Sequence, residues 1–291
     1  MKRRGVCAFA VLILVLMAWG GPLHGQQEES PKAKPALDVP YEPTSYGIAR
    51  AMLDMAKVTS KDFVYDLGCG DGRIVIMAAK ERGARGIGVD LDPARIRESK
   101  ANAEAAGATH LVSFFEQNLF DTDISKATVM MLYLWPEVNL RARPKLLKEL
   151  KPGTRIVSHS HTMGEWEDDA TQKVEGHDLH FFVVPANVTG TWEWTAKNGQ
   201  RASLYLTQRF QKVNGFATIG KHTMPITRAS LRGDYLRFSV EEPGQKKRTL
   251  LSFQGRVTGD TIIGKVARGE QRQGSSWRAT RDPASMLSIA E

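Results

Sequence analysis

The chain predicts an α/β fold built on a mostly parallel sheet, followed by a small all-β antiparallel barrel or sandwich. Three observations lead there. Between residues 40 and 184, apolar runs of strand length alternate with segments of helical period. Inside that stretch lies a strand, turn and helix unit whose turn holds Gly68, Gly70 and Gly72. After Pro185 the helical period disappears, and short alternating runs recur about every ten residues between Asn-Gly, Gly-Asp and Pro-Gly turns.

From 45 to 58 the apolar residues Ile48, Met52, Met55 and Ala56 recur at helical spacing, which predicts an amphipathic helix ahead of the first strand. The alternation then predicts strand 63–66, helix 72–82, strand 86–90, helix 93–106, strands 111–115 and 127–134, helix 137–150 and strand 154–159. Asp92-Pro93 opens the third helix and Gly107 closes it, the usual asymmetry of helix ends. A hairpin of 170–174 with 179–184 brings the sheet to seven strands. Beyond it the predicted strands are 190–196, 202–211, 215–222, 227–232, 235–241, 249–257, 261–266 and 275–280. Trp192, Trp194 and Trp277 are expected to fill the interior of that second unit, as side chains usually do in small barrels.

The glycine turn carries the functional signal. Glycines permit backbone angles closed to other residues and let a ligand touch the main chain. Twenty residues after Gly70 a second apolar run ends in Asp90, placed to accept hydrogen bonds from both hydroxyls of a ribose. Spacing alone fits a dinucleotide or another adenosine-containing ligand. The acids Asp66 and Asp71 separate the two, because carboxylates repel a pyrophosphate and attract an ammonium and a sulfonium.

The residues Asp66-Leu-Gly-Cys-Gly-Asp-Gly72 and Val89-Asp90 resemble the first two motifs of the class I S-adenosylmethionine-dependent methyltransferases. Tyr41-Glu-Pro-Thr44 upstream narrows the resemblance to small bacterial methyltransferases and the mitochondrial protein-lysine methyltransferases. The resemblance spans roughly residues 40–184 and implies a Rossmann-like domain with S-adenosylmethionine as cofactor. It implies that Asp66, Gly68, Gly70 and Gly72 hold the amino-acid end of that cofactor, with Asp71 also in the cofactor site, that Asp90 takes the ribose, and that Leu91 lies against the adenine. Asn118 stands where the family has an acid facing the adenine amino group, and Tyr41 and Thr44 lie on the segment that closes over the cofactor. Tyr133 and Trp135, after the fourth strand, are candidates for an acceptor channel, since aromatic faces attract alkylammonium groups and exclude water. No dedicated base is evident. His159, His161, His177 and His180 lack the spacing of a zinc site, and no metal is expected.

Lys2-Arg3-Arg4 precede an apolar run from 6 to 19, and small residues close it near Gly25. That pattern reads as a secretory signal over 1–25, short for a membrane span, with a polar linker over 26–39. The expected location is exported or periplasmic, with an inner-membrane anchor if the signal stays attached and the cytoplasm if the start is mis-assigned. Cys7 and Cys69 are the only cysteines, so the chain after the signal has no internal disulfide. Net charge is +8, yet residues 185–291 alone carry 17 Lys/Arg against 8 Asp/Glu. A basic second domain, 185–291, therefore follows a slightly acidic first one and points to an anionic surface as its partner. No specific nucleic acid is expected, and a membrane only through an uncleaved signal.

The leading function is methyl transfer from S-adenosylmethionine to a nitrogen acceptor, a protein lysine by resemblance or else a small molecule. The alternative is an exported non-catalytic binding protein that displays its basic β-module to an anionic envelope ligand, because an exported place has no evident supply of the cofactor. The intact set Asp66, Gly68, Gly70, Gly72 and Asp90 favours the enzyme.

Overall fold

The computed structural model describes residues 41–196, 199–242, 249–269, 271 and 274–289. The expected signal and linker lie outside the described residues, and no described helix is long and apolar enough to cross a membrane.

The first half is a seven-stranded sheet. Its strands are β1 (Phe63–Leu67), β2 (Arg85–Asp90), β3 (Val112–Glu116), β4 (Val129–Leu132), β5 (Arg155–His159), β6 (Ala170–Val174) and β7 (His177–Val183), in the order β3-β2-β1-β4-β5-β7-β6. The first five are parallel, while β7 runs antiparallel between β5 and β6. The helices are α1 (Tyr46–Met55), α2 (Arg73–Arg82), α3 (Pro93–Ala105) and α4 (Pro136–Glu149). The central strands are buried on both faces, as parallel strands between helix layers must be. Thus Val129 and Met131 of β4 pack with Ile48 and Met52 of α1, whereas Met130 and Leu132 pack with Val138 and Leu146 of α4. Ser45 caps α1 by accepting the Ile48 N–H at 3.1 Å, and Asp92 caps α3 by accepting from Ala94 at 2.8 Å with Pro93 at the first helical position. The fourth strand is shorter than its apolar run predicts, because residues 133–135 leave the sheet to enter α4.

The second half is one antiparallel sheet of nine strands curled into a barrel-like module. They are β8 (Gly190–Thr195), β9 (Arg201–Arg209), β10 (Lys212–Ile219), β11 (His222–Pro225), β12 (Thr227–Arg232), β13 (Tyr235–Glu241), β14 (Leu250–Thr258), β15 (Thr261–Arg268) and β16 (Ser275–Arg281). Their order is β11-β10-β9-β8-β16-β15-β14-β13-β12. The sequence predicts eight strands here; a turn at Gly220-Lys221 ends the run 215–222 and starts a ninth, β11. Alternate residues point inward, and rings fill the interior. Phe238 and Phe253 stack at 4.8 Å, and Trp277 meets both edge-on at 5.8 and 5.1 Å.

Phe210 is the most deeply buried of the side chains that join the halves, which also meet through Gln211 donating to the Glu167 carbonyl at 2.7 Å. Phe210, at the β9–β10 turn with φ 53°, is only 3% exposed and belongs to the core under α4. Its ring lies parallel to Trp166 at 6.2 Å, and the Arg143 guanidinium covers it at 5.2 Å. Ion pairs Arg209 with Glu165 and Lys212 with Glu167 flank it, but both are exposed and contribute little. Phe210→Ala is expected to cost about 3 kcal/mol and to split the thermal transition into two in calorimetry. A single unshifted transition would mean that the other contacts, such as Gln211 with the Glu167 carbonyl, suffice to couple the halves.

Candidate functional site

Strand order reverses between β1 and β4, and the crevice at their carboxyl ends is where open α/β sheets hold ligands. A half-open cleft occupies that position. It gathers Tyr41, Thr44, Asp66, Gly68, Gly70, Asp71, Asp90, Leu91 and Tyr133 from segments more than ninety residues apart.

Asp90 ends β2. One carboxylate oxygen accepts the Gly70 N–H at 2.9 Å and the other the Asp92 N–H at 2.9 Å, which fixes the glycine turn to the second strand. Each oxygen keeps a lone pair, so a vicinal diol can still donate to both. Gly70 has φ 53°, and a Cβ there would sit 2.4 Å from the Tyr41 ring. Arg73 neutralises Asp71 in a bidentate pair at 2.9 and 2.6 Å and donates to the Thr44 carbonyl at 2.9 Å. Burial works against the ionised Asp71, but the Arg73 hydrogen bonds outweigh it and hold the carboxyl below its usual range.

Asp66 is different. It is 3% exposed, and its carboxyl has no hydrogen-bond partner among the described residues. Burial, and after it the Asp90 and Asp71 carboxylates, push it up to about 8. Nothing nearby offers it a counter-charge, so the group it best accommodates is a cation arriving with a ligand. The set suits S-adenosylmethionine: an ammonium for Asp66, a ribose for Asp90 and a bare glycine backbone between them.

The 41–44 segment closes this end. Arg95 lies over the Tyr41 ring at 4.5 Å, and Thr44 Oγ1 shares a hydrogen bond of 3.2 Å with Nδ1 of the buried His159. The His159 ring stacks on Tyr133 at 3.9 Å. Burial, then His177 and His161, push its pKa down to about 4, so it is neutral at pH 7. Glu42 lines the cleft with Tyr133, and the His161 ring lies parallel to Tyr133 at 6.3 Å. Burial chiefly, and then the Glu42 carboxylate, raise the Tyr133 hydroxyl, while burial lowers His161 against the opposing pull of Glu137 and Glu42.

Three expected site residues stand apart from the cleft lining. Asn118 Oδ1 accepts the Phe120 N–H at 2.9 Å and caps a short turn, leaving Gln117 and Leu119 at the lining. Gly72 faces Phe114, 2.7 Å from where its Cβ would be, and thus lets α2 pack on β3. Trp135 precedes α4 and is 49% exposed. Sequence reasoning missed Glu42, Arg73, Arg95 and the His159 tie. Only tertiary pairing across about a hundred residues identifies the last, and His-x-His by itself signals nothing.

The family model of the ANTKMT methyltransferase domain matches residues 66–170. A protein-lysine N-methyltransferase from Saccharolobus islandicus is 46% identical over 151 residues, which are 50% of this chain and 94% of that protein. The adenine nucleotide translocase lysine N-methyltransferase of Mus musculus is 29% identical over 150 residues, with 50% of this chain and 65% of that protein aligned. The chain thus spans slightly less than two thirds of this vertebrate relative. A crystal structure of an RNA methyltransferase from Salinibacter ruber in complex with S-adenosyl-L-homocysteine superposes with a TM-score of 0.50 at 45% identity, covering 50% of this chain and 96% of that one.

S-adenosylhomocysteine is expected to bind with release of nearly one proton at pH 7, since Asp66 starts protonated and ends ionised beside the ammonium. Calorimetric titrations in two buffers of different ionisation enthalpy measure this, and no buffer dependence would exclude the pairing. Because its folded pKa lies above the unfolded value, Asp66 lowers stability as pH rises from about 4 to about 8. Asp66→Asn is therefore expected to raise the Tm of the ligand-free protein at pH 8 while weakening S-adenosylhomocysteine by about tenfold or more.

Proposed function

This chain belongs to the class I S-adenosylmethionine-dependent methyltransferases, and from that premise we propose that its acceptor is the side-chain amine of a lysine in a protein. One observation carries the proposal: Tyr133 and Glu42 share the cleft lining, and the His161 ring lies parallel to Tyr133 at 6.3 Å within the field of Glu42 and Glu137. An alkylammonium is attracted by the ring and by both acids. A phosphate-bearing acceptor would meet two like charges. Relatives named for protein-lysine acceptors agree with this reading.

The bound cofactor supplies an electrophilic methyl group on a sulfonium. The protein must present a neutral amine in line with it and keep water out. Tyr133 and the 41–44 segment, joined through His159, form a wall between the cofactor end and the acceptor end. His161 takes the proton that the ammonium loses on entering, because its burial keeps the ring unprotonated at pH 7. Glu42 and Glu137 then stabilise the imidazolium. Methyl transfer is expected to rise with pH through a value below 6.5, where His161 deprotonates.

With a methyl-labelled cofactor and a panel of lysine-bearing proteins, mass spectrometry is expected to find the label on lysine Nζ. Label confined to RNA or to small amines would overturn the acceptor class. His161→Gln is expected to lower kcat on the order of a hundredfold, to erase the acidic limb of the pH profile and to leave S-adenosylhomocysteine affinity unchanged. An intact acidic limb in that variant would remove His161 from the proton path.

A further inference from the structure

The charge of the second half is not spread evenly over its surface. Strand register places eight outward side chains of β13 to β16 in two rows. One row reads Tyr235, Arg256, Ile263, Arg278, and the other Arg237, Gln254, Lys265, Ser276. Cations therefore occupy alternate squares of a two-by-four array. With strands about 4.8 Å apart and alternate residues about 6.8 Å apart along a strand, diagonal cations lie roughly 8 Å from each other.

Of the four, Arg256 is paired with Asp234 at the turn before β13. Arg237, Lys265 and Arg278 are exposed and make no ion pair among the described residues. The bordering row is Thr258, Thr261 and Thr280 over these strands and reaches an acid only at Glu193 on β8, outside the array. Ile263 stands in the array 58% exposed, an apolar side chain surrounded by cationic ones.

We propose that this face of the β-module docks on an anionic phospholipid surface. The pattern fits a two-dimensional layer of negative headgroups better than a single polyanionic strand. Cations extend over four adjacent strands rather than along one groove. A single-stranded nucleic acid also needs open aromatic faces for its bases, and this array offers none. Its one aromatic ring, Tyr235, already has Arg237 at 4.9 Å and Arg256 at 5.7 Å, and its hydroxyl donates to Gln254 at 3.0 Å. Long Arg and Lys stems can lie along the surface with their charges at the headgroups while Ile263 enters the interface between them. The filled interior leaves the outer wall as the functional part of the module.

The test is flotation of the full chain with phosphatidylcholine vesicles, with and without one third phosphatidylglycerol. It is run beside the triple variant Arg237→Gln, Lys265→Gln, Arg278→Gln, which keeps the Arg256 pair. Each cation is worth about fivefold in partition onto an anionic surface, so the variant is expected to lose on the order of a hundredfold on the anionic vesicles. Wild-type binding should weaken as salt rises and be small on neutral vesicles. S-adenosylhomocysteine titration confirms that the variant is folded. Equal binding of wild type and variant to the anionic vesicles would overturn the proposal, because any contribution from the apolar N-terminal residues is common to both chains. Tighter binding to a single-stranded oligonucleotide than to the anionic vesicles, lost in the variant, would overturn it in favour of nucleic acid.

Discussion

A carboxyl group buried at the end of the central strand sets the terms for the rest of the site. β1 lies between β2 and β4 with helices on both faces, so a polar side chain near its end meets water only through the cleft. Three carboxyl groups meet there, and the fold satisfies two. Asp90 is used by backbone N–H groups and Asp71 by Arg73, while Asp66 stays protonated near neutrality under burial and the repulsion of the other two. An ionised, unpaired carboxylate in that position would cost several kcal/mol. The ligand-free protein therefore carries a destabilising group that a bound ammonium relieves, which makes cofactor affinity and proton release one event.

The glycines follow from the same constraint. To bring the main chain under a ligand and still reach Asp90, the turn must adopt positive φ at Gly68 and Gly70 and leave no Cβ beneath Tyr41. Tyr41 in turn is held by Arg95, and Thr44 by Arg73 and His159. Arg73 thus serves two partners, since it neutralises Asp71 and anchors the closing segment. His159 passes that anchoring to Tyr133, so the cofactor end and the acceptor end are built on a shared wall.

Local signals make much of this legible in the amino-acid sequence. The strand, turn and helix at 63–82, the acid at 90 and the capping pair Asp92-Pro93 each depend on neighbours a few residues away, and periodicity and turn chemistry report such neighbours. The same holds for the β-module, whose alternation and turns show an antiparallel sheet even though one extra strand hides in the run 215–222. What stays hidden is long-range. His159 reads as one histidine of a small cluster until Thr44 and Tyr133 are seen against it, and Phe210 reads as a turn residue until Trp166 is seen under it. Asn118 shows both kinds of information: its place after β3 is local, while only the structure shows its side-chain oxygen accepting the Phe120 N–H with a second lone pair left over.

The opposite charges of the two halves assign them different partners. The cleft is lined by Glu42, Asp66, Asp71, Asp90 and Asp92 against Arg73 and Arg95, an acidic balance that favours cationic groups. A lysine-bearing, basic acceptor is attracted to that mouth and repelled by the cation array on β13 to β16, so the array cannot serve to recruit the same acceptor. The complement proposed for it is an anionic surface, which an acidic cleft would in turn repel. The Phe210 plug, seated in the core under α4, makes the connection between the halves a packed one rather than a tether. With a packed junction, the proposed contact of the basic wall would leave the orientation of the cleft fixed relative to it.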